Sequence, residues 1–77
     1  MAVKVKFFAS MREYLNRSEL DITVTGETTV AAIWVQAAGD KPMPADTVCA
    51  VNQTQAKPEF TVVDGDEVAF FPPVTGG

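Results

Sequence analysis

The stretch TTVAAIWVQAAG, residues 28–39, decides how this chain folds. Val30, Ile33, Trp34 and Ala37 recur at i, i+3, i+4 and i+7, the spacing that gathers side chains on one face of an α-helix. Thr28 is placed to cap the helix N-terminus through its hydroxyl. Gly39 is placed to end it, because glycine takes the turn beyond the last helical residue without steric cost. A stripe this apolar has to be covered, and the flanking segments supply the cover. Upstream, VKVKFF, residues 3–8, puts Val3, Val5 and Phe7 on one face and Lys4, Lys6 and Phe8 on the other, as a half-buried strand requires. Residues 11–16 fit a short helical turn. Residues 19–25 alternate again, with Leu20, Ile22 and Val24 inward, and read as an antiparallel return that Gly26 breaks. Downstream, Pro42 and Pro44 mark a loop, residues 48–51 a short apolar strand and residues 52–57 a turn. Residues 60–63 fit a brief edge strand, and Asp64-Gly65-Asp66 turns the chain into a final strand at residues 67–71.

Strand, strand, helix, then two or three short strands predicts an α+β fold in which a mixed sheet packs on one main helix, the β-grasp or ubiquitin-like layout. Trp34 belongs to its core. We expect one domain over residues 1–71 and an extended tail over residues 72–77. With 77 residues, no second core is possible. No apolar run approaches the roughly 20 residues of a membrane span, and the opening residues alternate instead of forming a signal-peptide core. A cytoplasmic protein with no membrane partner is therefore expected. Ten acidic against six basic residues give a net charge of −4, which repels phosphate backbones and argues against a nucleic-acid partner.

The same composition removes most catalytic equipment. There is no histidine and only one cysteine, so imidazole base chemistry, a Cys/His pair, a zinc site and an internal disulfide are all excluded. No metal or cofactor is expected to bind this chain. Cys49, among Val48, Ala50 and Val51, reads as a small buried apolar residue.

Two features remain unexplained by a bare fold. Phe7-Phe8 and Phe70-Phe71 are adjacent pairs on strands, so consecutive rings point to opposite sheet faces. One helix cannot cover both faces. Because the first and last strands of a β-grasp sheet are neighbours, Phe8 and Phe71 are expected to form one exposed patch for a partner, or to be covered by a loop. The second feature is the ending, PPVTGG. Pro72 and Pro73 stop the strand and force an extended path, and six residues from Pro72 reach at most about 20 Å. At a background glycine frequency of about 7%, a terminal Gly-Gly arises by chance in roughly one chain in 200. Glycines admit the chain to a narrow channel, and the Gly77 carboxylate is free of side-chain hindrance. Supplied with Mg-ATP by another enzyme, that carboxylate can be adenylated, and the acyl adenylate then reacts with a sulfur donor or a lysine amine.

AVNQT at residues 50–54 and DGDEVAFFPPVTGG at residues 64–77, with the opening at residues 3–9 and Arg12-Glu13, resemble the small-subunit family of molybdopterin synthase. The resemblance implies a ubiquitin-like sulfur carrier, a subunit of a sulfurtransferase with no active site of its own. It implies that Gly77 is adenylated by a ubiquitin-activating-type adenylyltransferase and thiocarboxylated. It further implies docking on a larger catalytic subunit in a two-plus-two heterotetramer, where sulfur passes to cyclic pyranopterin monophosphate. Val74, Thr75 and Gly76 then form the inserted arm, and Phe8, Phe71, Pro72 and Pro73 the docking surface. The acidic run at residues 64–67 is either a solvated hairpin turn or an element that steers the domain toward basic partner surfaces. A carrier for the thiamin thiazole, a protein modifier joined to lysines and a plain interaction domain are the alternatives. Deleting Gly77, or adding a residue after it, is expected to abolish sulfur delivery while circular dichroism and thermal melting stay unchanged, because no core contact is altered. Full activity with an extended C-terminus would contradict a terminal reactive group.

Overall fold

The computed structural model describes residues 2–72. Its elements run β1 (Ala2–Phe7), α1 (Ser10–Leu15), β2 (Glu19–Thr23), β3 (Thr28–Thr29), α2 (Val30–Ala38), β4 (Val48–Val51), β5 (Thr54–Ala56), β6 (Thr61–Val62) and β7 (Glu67–Phe71). The main sheet has five strands in the order β2-β1-β7-β4-β5. β1 and β7 are parallel, and β2, β4 and β5 pair antiparallel with their neighbours, so the sheet is mixed. This is the expected β-grasp: the first and last strands run side by side and parallel at the centre of the sheet.

The core lies between this sheet and α2. Val3, Val5 and Phe7 from β1, and Val68 and Phe70 from β7, are essentially inaccessible to solvent. Val30, Ile33, Trp34 and Ala37, the four residues of the helical stripe, are all buried against them. Phe7 stacks on Phe70, with ring centroids 5.8 Å apart, and Trp34 meets both rings edge-on at 6.4 and 5.1 Å. Such edge-to-face contacts suit the aromatic quadrupoles. Among the described residues no polar or charged residue is buried. The indole N–H of Trp34 escapes an unpaired state by donating to the Lys41 carbonyl at 2.8 Å. Tyr14 closes this corner: its ring stacks on Trp34, its hydroxyl donates to the Pro42 carbonyl, and the Lys41 ammonium lies over its face.

Four expectations need correction. The cap of α2 is Thr29, not Thr28: its Oγ1 accepts the Ala32 N–H at 3.1 Å. Thr28 and Thr29 are both extended, because they pair with Val62 and Thr61, so the helix begins one residue later than expected. Residues 52–57 are not simply a turn. Asn52 and Gln53 take positive φ, 51° and 70°, and this tight reversal returns the chain as β5 along β4. The strand at Thr61–Val62 is not an edge of the main sheet; it forms a separate two-stranded sheet with β3. Consequently Asp64-Gly65-Asp66 is not a hairpin turn, since it joins two different sheets.

That turn is a junction. Asp64 Oδ1 accepts the Ala2 N–H, the Gly65 N–H donates to the Ala2 carbonyl, and the Lys4 N–H donates to the Asp66 carbonyl. Gly65, at φ 92°, supplies the backbone geometry this close approach needs. Asp66 accepts the Val63 N–H through Oδ2 at 2.9 Å and the Asn52 side-chain amide through Oδ1 at 3.0 Å. Asn52 in turn accepts the Glu67 N–H. One loop thus ties the start of β1, the β4–β5 turn and the start of β7. The Val63 backbone N–H, and then the Asn52 amide, hold the Asp66 carboxyl below its ordinary value of 3.8.

A carboxyl lowered on folding stabilises the fold above its ordinary value and loses that contribution as pH falls through the folded value. Asp66→Asn is therefore expected to be less stable than the parent at about pH 6, with the gap shrinking toward about pH 3 in urea unfolding. A gap independent of pH would show that the Asp66 charge is not what holds the junction.

Candidate docking face and tail root

The helix covers one face of the main sheet and leaves the other to be built by the outward residues. Register decides which residues these are. Phe7 lies opposite Phe70 across the parallel β1–β7 pair, so both point to the core and their neighbours point outward. The Phe8 N–H donates to the Phe70 carbonyl at 3.1 Å, which holds Phe8 beside β7 just past the end of β1. Phe8 and Phe71 then stack with centroids 4.7 Å apart and planes within 6° of parallel. Phe8 is 39% exposed and Phe71 half-buried. The expected outward aromatic pair is therefore present, and it leads into Pro72, itself half-buried. Pro73, Val74, Thr75, Gly76 and Gly77 lie outside the described residues.

Beside the aromatic pair runs a groove of about 390 Å³ that sequence reasoning missed. Its floor follows from pairing: Ala69 stands between Lys6 and Ala50, and Ala50 stands opposite Gln55. Phe8 and Phe71 flank this row, and Gln53 and Glu67 complete the lining. Lys6 Nζ and Glu67 Oε1 are 3.6 Å apart. The signal in the sequence was the outward position of two alanines, which becomes a groove only once β7 and β4 are known to be neighbours. Two further openings, one over the β2–β3 connection and a smaller one at Asn52, Gln53 and Glu67, are more polar.

Nothing on this face resembles catalytic machinery. Among the described residues no three acidic, cysteine or histidine side chains converge as metal ligands. Cys49 is 2% exposed, and burial pushes its thiol up from the ordinary range, which disfavours the nucleophilic thiolate. No described helix is long and apolar enough to cross a membrane. Chemically, the face can bind a partner, and the strand beneath it can present whatever follows Pro72.

Fold and face together define a ubiquitin-like β-grasp domain with its last strand leading out beside an apolar face. The chain belongs to the ThiS family, whose model matches residues 5–77. It is 38% identical to the molybdopterin synthase sulfur carrier subunit of Escherichia coli over 97% of this chain and 99% of that protein. Among solved structures it resembles SAMP1 from Haloferax volcanii, at 27% identity and a TM-score of 0.78 over the full length of both chains. It also resembles a chain in the complex of subunits 1 and 2 of the molybdopterin-converting factor from Helicobacter pylori, at 25% identity and a TM-score of 0.65, again over both full lengths.

The two rings of the β7 pair should respond oppositely to substitution. Phe70→Ala removes a fully buried ring and is expected to cost about 3–5 kcal/mol, much of the stability of so small a domain. Phe71→Asp should leave the isolated domain folded, with a loss of about 1–2 kcal/mol, because the charge meets solvent. Thermal unfolding of the two variants checks this, and collapse of Phe71→Asp alone would place that ring in the core.

Proposed function

We propose that this chain is the sulfur-carrier small subunit of a molybdopterin synthase, part of a sulfurtransferase complex. The observation that carries the reading is its 38% identity, across nearly the whole of both chains, to the E. coli carrier subunit. The outward Phe8–Phe71 stack at the root of the tail supports it, because a carrier needs a docking surface next to the group it delivers.

The chemistry resides in Gly77. An activating adenylyltransferase supplies Mg-ATP; the Gly77 carboxylate attacks the α-phosphorus, pyrophosphate leaves, and the acyl adenylate forms. A sulfur donor then displaces AMP and leaves a thiocarboxylate. The carrier docks on the larger subunit through Phe8, Phe71, Pro72 and Pro73, and Val74, Thr75 and Gly76 carry the thiocarboxylate into that subunit's cavity. There the ionised sulfur attacks cyclic pyranopterin monophosphate. Hydrolysis of the acyl–sulfur bond returns Gly77 to the carboxylate, and two deliveries complete the dithiolene. Two carriers and two large subunits make the assembly. This chain contributes the sulfur, its address and its reach; the base and the phosphate-binding groups belong to the large subunit, and no cofactor resides on the carrier.

A second reading has its own observation, the likeness to SAMP1 from Haloferax volcanii, a small archaeal modifier protein. Adenylation of Gly77 is common to both routes, and only the acceptor differs. In a modifier the acyl carbon stays bonded to a lysine nitrogen, whereas in a carrier only sulfur leaves. Incubated with the activating enzyme, ATP and a sulfur donor, the chain is expected to gain the mass difference between sulfur and oxygen, mapped to Gly77. On adding the large subunit and the pterin precursor it should return to its starting mass. Normal molybdoenzyme activity in cells lacking only this gene, with Gly77 recovered in isopeptide linkages, would replace the carrier with the modifier.

A further inference from the structure

The main sheet has two edges, β2 and β5, and they are finished differently. β5 is three residues long and runs into Lys57 and Pro58, so its free side offers almost nothing to a further strand. β2 has five residues, keeps an unbroken register with β1 and holds no proline, glycine or bulge. Its ladder fixes which residues face the open side. The Phe7 N–H donates to the Ser18 carbonyl, and every second pair of an antiparallel ladder is bonded, so Leu20 and Ile22 also turn their N–H and C=O groups toward β1. The opposite side of β1 agrees. The Lys4 and Phe8 N–H groups donate to the Asp66 and Phe70 carbonyls on the β7 side, which leaves the backbone groups of Val3, Val5 and Phe7 for β2. Glu19, Asp21 and Thr23 therefore direct their N–H and C=O groups away from the sheet. All three residues are exposed, and among the described residues no other backbone group takes these donors and acceptors up.

We propose that the β2 edge is a docking site for an extended, basic segment of a partner protein, which joins the sheet as a further strand along Glu19, Asp21 and Thr23. Charge and alternation select the occupant. The side chains of Glu19 and Asp21 lie on the outer face, and those of Leu20 and Ile22 on the helix side, where Ile22 is buried and Leu20 half-buried. An added strand places one residue opposite Glu19 and another opposite Asp21 on the outer face, with the residue between them over Leu20. Lysine or arginine suits the first two positions and an apolar residue the third. Lys6, the cross-strand neighbour of Glu19, pairs with Glu67, and no other ion pair forms among the described residues, so both edge carboxylates are available. Beyond Thr23 the edge opens into a polar recess of about 370 Å³ lined in part by Thr25, Glu27 and Gln36, which continues its acidic character. A second copy of this chain does not fit. Two β2 strands paired antiparallel about Asp21 would set that carboxylate against its own copy, between molecules that each carry a net charge of −4. The added strand lies about 5 Å beyond β2 and about 10 Å from β1, which leaves the Phe8–Phe71 stack open. One protein can thus hold the domain by its edge while another takes its tail, whichever acceptor the tail serves.

The test uses the full-length chain and, as probe, a short acetylated and amidated peptide alternating lysine and valine, with an alternating glutamate and valine peptide as control. Amide chemical shifts and hydrogen exchange are read residue by residue. At saturating lysine peptide, exchange at the Glu19, Asp21 and Thr23 amides is expected to slow about tenfold or more, while Leu20 and Ile22, already bonded to β1, change little. The glutamate peptide should leave them all unchanged. Asp21→Pro removes one outward N–H and the charge without touching the β1 ladder, so it is expected to melt close to the parent and to bind the lysine peptide at least about tenfold more weakly. Asp21→Asn, which keeps the N–H, should weaken binding about two- to threefold. If Asp21→Pro melts early, Asp21→Asn and the alternate protection of the parent decide. Absence of any change with the lysine peptide refutes the site, and equal binding of both peptides refutes the basic occupant. Shifts spread over residues 64–67 without protection of the alternate β2 amides would mean adhesion by charge alone, and no strand site. Protection of the same three amides in the chain alone, growing with its concentration, would give the edge to a second copy and overturn the assignment.

Discussion

The structure depends on one register: β1 and β7 run parallel with Phe7 opposite Phe70. Side chains alternate along a strand, so this pairing settles both faces of the sheet together. A slip by one residue would turn Phe8 or Phe71 into the core and expose a ring that α2 is shaped to cover. Trp34 holds the register from the helix side by meeting both inner rings edge-on. On the far side the outer rings stack at 4.7 Å. The stability of the domain and the composition of its outer face are two consequences of the same pairing.

This coupling separates fold from function in space. Nearly all buried apolar residues lie between the sheet and the two helices, and the outer face consists of a charged half near β2, an alanine floor and an aromatic ridge. Residues on that outer face are available for recognition because the core does not use them. The opposite end of the sheet is fastened differently. Asp64, Gly65, Asp66 and Asn52 tie the beginnings of β1 and β7 and the β4–β5 turn through directional hydrogen bonds. With β7 clamped at its start by that junction and along its length by β1 and β4, the strand leading into Pro72 has a well-defined exit.

A carrier gains from lacking catalytic groups of its own. On the proposed route the Gly77 carboxylate is activated by one protein and discharged by another, and a nucleophile or base beside it would hydrolyse the intermediate in transit. The lone thiol, Cys49, is buried and its ionisation suppressed. On the same proposed route the domain supplies orientation: an outer face for docking, and a terminal segment whose prolines restrict the conformations lost on insertion. The acidic junction gives residues 64–67 a structural role. Asp64 and Asp66 are engaged in structural hydrogen bonds, while Glu67 turns toward Lys6 on the outer face of the sheet.

Much of this was legible in the sequence. Periodicity alone located α2 and its four buried residues, β1, β4 and β7, because alternation and the helical repeat are local properties of the chain. The outward aromatic pair followed once a β-grasp order made the first and last strands neighbours. What local pattern misjudged depended on partners far away in the chain. Thr28 was drawn out of the capping position by pairing with Val62, and β5 was hidden because Thr54, Gln55 and Ala56 form a strand only against β4. The groove was invisible for the same reason. Ala50 and Ala69 are unremarkable apart, separated by nineteen positions in the sequence, and become the floor of one recess only when β4 and β7 lie side by side. The sequence by itself determined which residues face in and out along β1, β2 and β7, and the motif DGDEVAFFPPVTGG. Tertiary structure alone decided which strands are neighbours, and hence which outward residues share a surface, because adjacency in a sheet is set by the global burial of both faces rather than by any local propensity.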